Sequence, residues 1–397
     1  MRSKNPIIGI CFLLFFSLNV FAQGFGQNKI QYKDFNWRYI QSEHFDVYFY
    51  DGGYDIAVFT AEVAESAYVS LQNDFQYDLS ERVAIITYKS HNDFQQTNVV
   101  GSFLTEGIGG VTELLKNRVV LPYEGSYNQL RHVLHHELVH AVMNDMLYGG
   151  SIQSLVTGQV APVPLWFSEG LAEFESMRWD TRLDMVVRDA TLTGYLPPID
   201  FLDYFPYQGG ASVFRYIAQK YGSQKIGEIL NKIKGSFNFQ NAFKSAIGID
   251  FKELTEEWQR RMKREYWPDI ADRKEPGEIA KALTDHRDDD SYMNSSASIS
   301  PQGDKLIFLS NRDGKMSVYL MDVLDGKIIR KLIQGEADVN FEELHFLEPG
   351  FGWSPDGKKF TLAAKAGDAD AIYIYDLDSG NYEQYKFDLD GMFSTAW

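Results

Sequence analysis

The chain has 397 residues, 44% hydrophobic and 15% aromatic, enough apolar side chain for two or three packed domains and too much for a disordered chain. Its formal net charge of −17 argues against a nucleic-acid partner, because phosphate binding needs a basic face. The single cysteine, Cys11, lies near the N-terminus.

Residues 1–22 read as a Sec-type signal peptide. Arg2 and Lys4 supply the positive region, residues 7–20 the short apolar run, and Ala22 a small residue at the cut. Ile10 stands before Cys11 where a lipoprotein signal carries a small residue, and the bland alternative is an uncleaved anchor. Cleavage leaves a chain of charge −19 without cysteine or membrane span, expected to be periplasmic, outer-membrane-associated or extracellular. Any metal it binds must then be held by histidine and carboxylate.

Residues 28–268 are expected to form one α+β domain. In its first part, 28–126, residues 44–50 alternate Phe45, Val47 and Phe49 on one face and read as a strand. Residues 54–75 carry Ile56, Phe59, Val63, Ala67 and Leu71 at helical spacing; 82–88 and 117–121 are short apolar strands. This makes a small mixed-sheet lobe with a helix on one face. In the second part, 127–268, strand signals fade, and 127–148, 164–177, 207–221, 225–234 and 251–266 read as helices. Residues 269–291 form a charged linker.

From 292 to 397 the texture is all-β and repeats. Ser300-Pro-Gln-Gly-Asp returns as Ser354-Pro-Asp-Gly-Lys, 54 positions on, and strands ending at Asp322 and Asp376 follow. These repeats resemble the TolB-like β-propeller family, with its S-P-D-G turn and I-Y-x-x-D closing strand. Two blades fit, and 392–397 look like the opening strand of a third, so the propeller is expected to be incomplete and the chain part of a longer protein. A propeller would offer a surface to a protein partner.

Within the helix at 127–148, His136-Glu-Leu-Val-His140 places two imidazoles at i and i+4 on one face, with Glu137 beside them. His132 and His135 read as surface or packed histidines. A zinc hydrolase needs a third protein ligand and an open fourth position. Glu169, among apolar Leu165, Trp166, Phe167 and Leu171, is the candidate; its alternative is a carboxylate at the positive end of a helix.

HELVHA followed by WFSEGLAEF resembles the gluzincin metallopeptidases, the peptidase MA-like relatives of aminopeptidase N and, more distantly, thermolysin. The resemblance implies a thermolysin-like fold holding Zn²⁺ through His136, His140 and Glu169, with a peptide or protein as substrate. Glu137 is then the general base, and Tyr207, in Phe205-Pro-Tyr-Gln-Gly-Gly210, the tyrosine that steadies the oxyanion. Glu173, one turn after Glu169, would orient a ligand histidine, His140, or else be a solvated carboxylate. Gly110-Val-Thr-Glu-Leu114 resembles the G-x-M-E-N strand of aminopeptidases, which makes Gly110 and Glu113 candidate substrate contacts and Glu113 an amine anchor. Thr112 and Leu114 depart from that pattern. The competing readings are an exported propeller scaffold with an inert peptidase-like lobe, and a zinc hydrolase acting on a non-peptide bond.

Overall fold

The structure, a computed structural model, describes residues 29–114, 116–149, 163–236, 238–289, 291–336, 339–347 and 350–397. The signal-peptide reading of 1–22 lies outside them.

In strand β2 (Phe45–Phe49) the apolar alternation buries Phe45, Val47 and Phe49 and leaves Asp46 and Tyr48 partly exposed. Its neighbours are β1 (Arg38–Gln41), antiparallel, and β3 (Val83–Tyr88), parallel. Strand β5 (Val119–Pro122) runs parallel to β3, and the two-residue β4 (Val111–Thr112) completes the order β1-β2-β3-β5-β4 as an antiparallel edge. The sequence reading omits β1, whose side chains are mostly exposed and carry no buried alternation. Between β2 and β3, helix α1 (Tyr54–Phe75) buries Ile56, Val63, Ala67 and Leu71 in the core that also holds Val47 and Ile85. A fully buried Val, Ile or Leu side chain of this kind contributes about 1.5–3 kcal/mol. The short helix α2 (His91–Phe94) follows β3.

The second lobe is helical: α3 (Tyr127–Tyr148), α4 (Leu165–Met177), α5 (Thr181–Leu192), a 3-10 turn at Ile199–Tyr204, α6 (Pro206–Tyr221), α7 (Gln224–Lys234), α8 (Phe239–Ile247) and α9 (Phe251–Tyr266). The sequence reading omits α5 and α8. Both are short, and both open on a side-chain cap: Asp180 accepts from Leu183 N and Asn238 from Asn241 N, each at 2.8 Å. An aromatic cluster knits the lobe, with Phe167 lying edge-on to Phe214 and Phe239 at 5.1 Å. The lobes are joined at Asp145 on α3, which accepts from Ser80 N at 2.7 Å and from the Tyr77 hydroxyl at 3.0 Å. Among the described residues no helix is long and apolar enough to cross a membrane.

The C-terminal part holds two antiparallel sheets. In the first, β6 (Asn294–Ile299), β7 (Lys305–Ser310), β8 (Ser317–Asp322) and β9 (Ile328–Gln334) lie in chain order. The second comprises β10 (Glu343–Leu344), β11 (Gly352–Trp353), β12 (Lys359–Ala366), β13 (Ala369–Asp376) and β14 (Tyr382–Tyr385). The repeated turn has one physical basis in both copies. Ser300 Oγ accepts from Lys305 N and Ser354 Oγ from Lys359 N, while Gly303 and Gly357 adopt φ of +75° and +69°. The repeated aspartate closes the next turn, Asp322 accepting from Leu324 N and Asp376 from Ser379 N. Among the described residues the sheets do not close into a propeller ring. The opening strand expected at 392–397 is not formed: Met392 N donates to Asp370, and the Thr395 hydroxyl donates to Gly350 O, so isolated side-chain bonds to distant residues stand where a ladder was expected. The arrangement as a whole is α+β, as expected.

The second sheet docks on the segment between α2 and β4. Glu343 accepts from Gln95 Nε2 and Glu106 N, both at 2.7 Å; Glu106 accepts from Phe346 N at 2.8 Å; Lys365 Nζ donates to Gln95. That same segment lines the cleft described next.

Candidate metal centre

Helix α3 begins at Ser126, whose hydroxyl accepts from Gln129 N, and ends at Gly149 in the left-handed region. Its 22 residues hold His136 and His140 on the face turned toward α4, which carries Glu169. The three donor atoms form a nearly equilateral triangle. His136 Nε2 lies 3.2 Å from Glu169 Oε2, His140 Nε2 lies 3.3 Å from the same oxygen, and the two Nε2 atoms are 3.3 Å apart. Donors bound tetrahedrally to a single ion at about 2.0–2.1 Å stand about 3.3 Å from one another, so these residues fit one such cation. Among the described residues they are the group of three that could hold a metal.

The local charge also favours a cation. Burial alone would keep the His136 imidazole neutral, but hydrogen bonds to Glu169 and Glu173, with the Glu137 charge nearby, push its pKa up to about 10. Burial would raise Glu169, yet its bonds to His136 and His140 bring it down to about 2. A pocket holding this many carboxylates binds positive charge, whether a proton on His136 or a metal ion.

Glu173 lies 3.2 Å from His136 Nδ1, the ring nitrogen turned away from the triangle. The expectation paired it with His140; it serves His136 instead, because one turn of α4 past Glu169 carries it along α3 toward the preceding histidine. A carboxylate there fixes which nitrogen carries the proton and leaves Nε2 facing inward. His132, 3.7 Å from Glu173, is lowered by burial, and His135 is lowered to about 4 by burial and by Arg178. Both are packed histidines outside the triangle.

Glu137 faces a cleft of about 550 Å³ that His136, His140, Glu169 and Tyr207 also line. Its placement depends on β4. A β-carbon on Gly110 would come within 2.9 Å of Glu137 Cγ, Leu121 Cδ2 and Val133 Cγ1, so only glycine lets the strand lie this close to α3. Two residues on, Thr112 Oγ1 stands 2.6 Å from Glu137 Oε2 and 3.0 Å from its main-chain oxygen. The sequence reading missed this threonine. A signal existed: in an extended strand it shares the face of Gly110.

Tyr207, at the start of α6, has its ring 6.0 Å from that of His136. Burial and the charges of Glu169, Glu137 and Glu173 push its hydroxyl up to about 12, so it stays a proton donor. Glu113 is set apart from this assembly. It is not among the residues that line the cleft, and Arg118 Nε donates to its carboxylate at 2.6 Å. The structure thus brings together His136, Glu137, His140, Glu169, Glu173, Tyr207 and Gly110.

The sequence model of the Peptidase MA superfamily matches residues 63–264, a span that holds all of these residues. No curated protein matches the chain. Among solved structures, the crystal structure of TolB from Acinetobacter baumannii is similar over 24% of this chain and 22% of that one, at 22% identity and a TM-score of 0.21.

Proposed function

Because the chain belongs to the Peptidase MA superfamily, we propose that it is an exported zinc-dependent peptidase of the gluzincin type, built on a thermolysin-like domain. The observation that carries the reading is the triangle of His136, His140 and Glu169 with a carboxylate, Glu137, and a hydroxyl, Tyr207, on the same cleft. Two imidazoles and one carboxylate suit zinc by ligand type and leave the ion a net charge of about +1.

Bound there, the ion would polarise a substrate carbonyl and acidify water. Everything else is done by side chains of this chain. Thr112 holds one oxygen of the Glu137 carboxylate, leaving the other to take a proton from the attacking water. The water oxygen joins the acyl carbon, the C–N bond breaks, and Glu137 returns the proton to the departing nitrogen. The Tyr207 hydroxyl donates to the oxygen on which negative charge develops, a contribution of about 10²–10³ in rate for donors of this kind. Glu173, through His136 Nδ1, keeps the ligand ring from turning.

Export rests on the basic and apolar segments of residues 1–22, and the C-terminal sheets are proposed to belong to a propeller that presents a surface to a protein partner. Metal analysis of the purified protein tests the reading at its root. Wild type should carry one zinc per chain and Glu169→Ala much less; a wild-type protein that binds no zinc at neutral pH overturns the proposal.

A further inference from the structure

The 3-10 turn at Ile199–Tyr204 has two faces of opposite character. Residues three apart eclipse one another in such a turn. Ile199 and Leu202 are fully buried, whereas Phe201 is 59% and Tyr204 90% exposed. The two rings therefore stand one above the other on the solvent side, about 6 Å apart along the axis. A single exposed aromatic is ordinary; two in register on a fixed support make a surface.

The support is fixed from three directions. Ile199 N donates to Thr255 Oγ1 at 3.1 Å, and Asp203 Oδ1 accepts from Trp166 N at 2.8 Å. Leu202 packs so closely on α6 that a β-carbon on Gly209 would lie 2.8 Å from its Cδ1. These anchors also set the rings beside the cleft. Trp166 lies in the first turn of α4, two residues before Ser168, and Tyr204 stands three residues before Tyr207; Ser168 and Tyr207 both line the cleft. At most about 11 Å of backbone separates Tyr204 from Tyr207. Leu165, 49% exposed, adjoins the residue that ties α4 to the turn. The cleft walls include apolar Val100, Ile108, Val111, Leu114 and Met143, and this strip carries an apolar surface outward from the Tyr207 side.

Building on the peptidase reading, we propose that Phe201, Tyr204 and Leu165 form a second substrate site outside the cleft. It holds an extended, apolar segment of a polypeptide while an adjoining bond of the same chain is cleaved. An extended chain repeats its side chains on one face about every 6.6 Å, close enough to the ring spacing for each ring to take one. The occupant is therefore an unfolded stretch of substrate with apolar or aromatic side chains at alternate positions. Folded proteins bury such stretches, so the site directs cleavage toward unfolded chains. Asp200 and Asp203, both exposed on the same turn, make acidic segments poor occupants.

The test uses the full-length zinc-loaded protein and two end-blocked peptides. The short one has about eight residues around a single Phe-Leu pair; the long one adds a tail of about twelve, in which Ser alternates with Val, Phe and Leu. With the tail at one of the two ends, KM should fall about tenfold at equal kcat, the gain expected from two ring contacts. A tail of Ser and Gly should give no gain. Phe201→Ser combined with Tyr204→Ser should remove the gain and leave kcat on both peptides within about twofold, since neither ring is part of the core. Tyr292→Ser, at an equally exposed tyrosine just before β6, is the control and should change nothing. The proposal is overturned if the apolar tail gives no gain at either end, if the double variant keeps the gain, or if Tyr292→Ser abolishes it too. A binding measurement separates this inference from the peptidase reading. Calorimetric titration of zinc-loaded Glu137→Gln should find the long peptide about tenfold tighter than the short one, and the added Phe201 and Tyr204 substitutions should equalise them. If wild type cleaves neither peptide yet this difference is present, the peptidase reading fails and the second site stands. Cleavage of both peptides at one KM, with no difference in binding, overturns the second site alone.

Discussion

Gly170 and Gly210 meet backbone to backbone: a β-carbon on Gly170 would lie 2.4 Å from Gly210 Cα, and one on Gly210 would lie 2.3 Å from Trp166 O. This contact decides how closely α6 approaches α4, and it sits one residue after Glu169 and three after Tyr207. The ligand and the hydroxyl donor are therefore positioned by the same crossing. Gly210→Ala should push the helices apart at a cost of about 1–3 kcal/mol, seen as a lowered melting temperature. Displacing Tyr207 by even 1 Å should lower kcat by about 10²-fold, with zinc content largely kept because all three donors lie on α3 and α4. Metal content that falls in step with activity would place the damage at Glu169 instead.

Glu137 separates metal binding from turnover, since it faces the cleft but is not one of the three donors. Glu137→Gln keeps the shape and removes the proton acceptor. Zinc content should stay at the wild-type level while kcat falls by about 10²–10⁴-fold, the usual weight of a general base. Elemental analysis beside a peptide assay reads both quantities from one preparation.

How far the sequence reached depended on distance along the chain. The two histidines share a helix, so their spacing alone puts them on one face. Glu169 lies on a different helix, and its arrival beside them needed a fold, supplied at the sequence level by resemblance. Resemblance could not say which imidazole Glu173 serves, because that depends on the crossing of α3 and α4. Thr112 shares a strand face with Gly110, but its bond to Glu137 joins segments 25 residues apart, a pairing that strand spacing alone does not give. Glu113 matched a motif, but its bond to Arg118, just before β5, is made by the fold and could not be read from the motif. The C-terminal repeats were readable because each copy folds through its own local turn. The tail at 392–397 had no such turn, and no strand formed there.

Thr112 is a positioning residue for the base. A hydrogen bond to a charged partner is worth about 1.5–3 kcal/mol, so Thr112→Val should lower kcat by roughly 10–100-fold. KM and zinc content should barely move, because Thr112 contacts neither the metal donors nor the apolar walls through that hydroxyl. Thr112→Ser restores the hydroxyl and should recover most of the rate. A valine variant that loses KM and kcat together, and is not rescued by serine, would mean that the methyl group rather than the hydroxyl matters.

His345 ties the second C-terminal sheet to the cleft wall. Its Nε2 lies 3.2 Å from Asp370 Oδ1 and its Nδ1 3.5 Å from Glu106 Oε1, all three side chains nearly inaccessible to solvent. Burial lowers its pKa, but the hydrogen bond to Asp370 and the negative charges of Asp370 and Glu106 prevail and raise it to about 9 from the usual 6.5. A raised histidine stabilises the fold fully below the unfolded value and loses that contribution as pH climbs through the folded one. Asp370 is lowered, chiefly by His345 against the opposing effect of burial, so its share is lost only in acid, as pH falls below the usual carboxylate range. The junction should hold best from about pH 4 to 6.5 and weaken from 6.5 to 9. The histidine's share is about 3 kcal/mol by linkage. Melting temperatures of wild type and His345→Gln should accordingly differ most near pH 6 and converge near pH 9.5. Because Glu106 belongs to the segment that carries Ile108 and Gly110 into the cleft, loosening this junction should also raise KM at alkaline pH in wild type, and the glutamine variant should show the raised KM at every pH. A variant whose melting temperature and KM follow wild type across this range would show that His345 carries no charge in the junction.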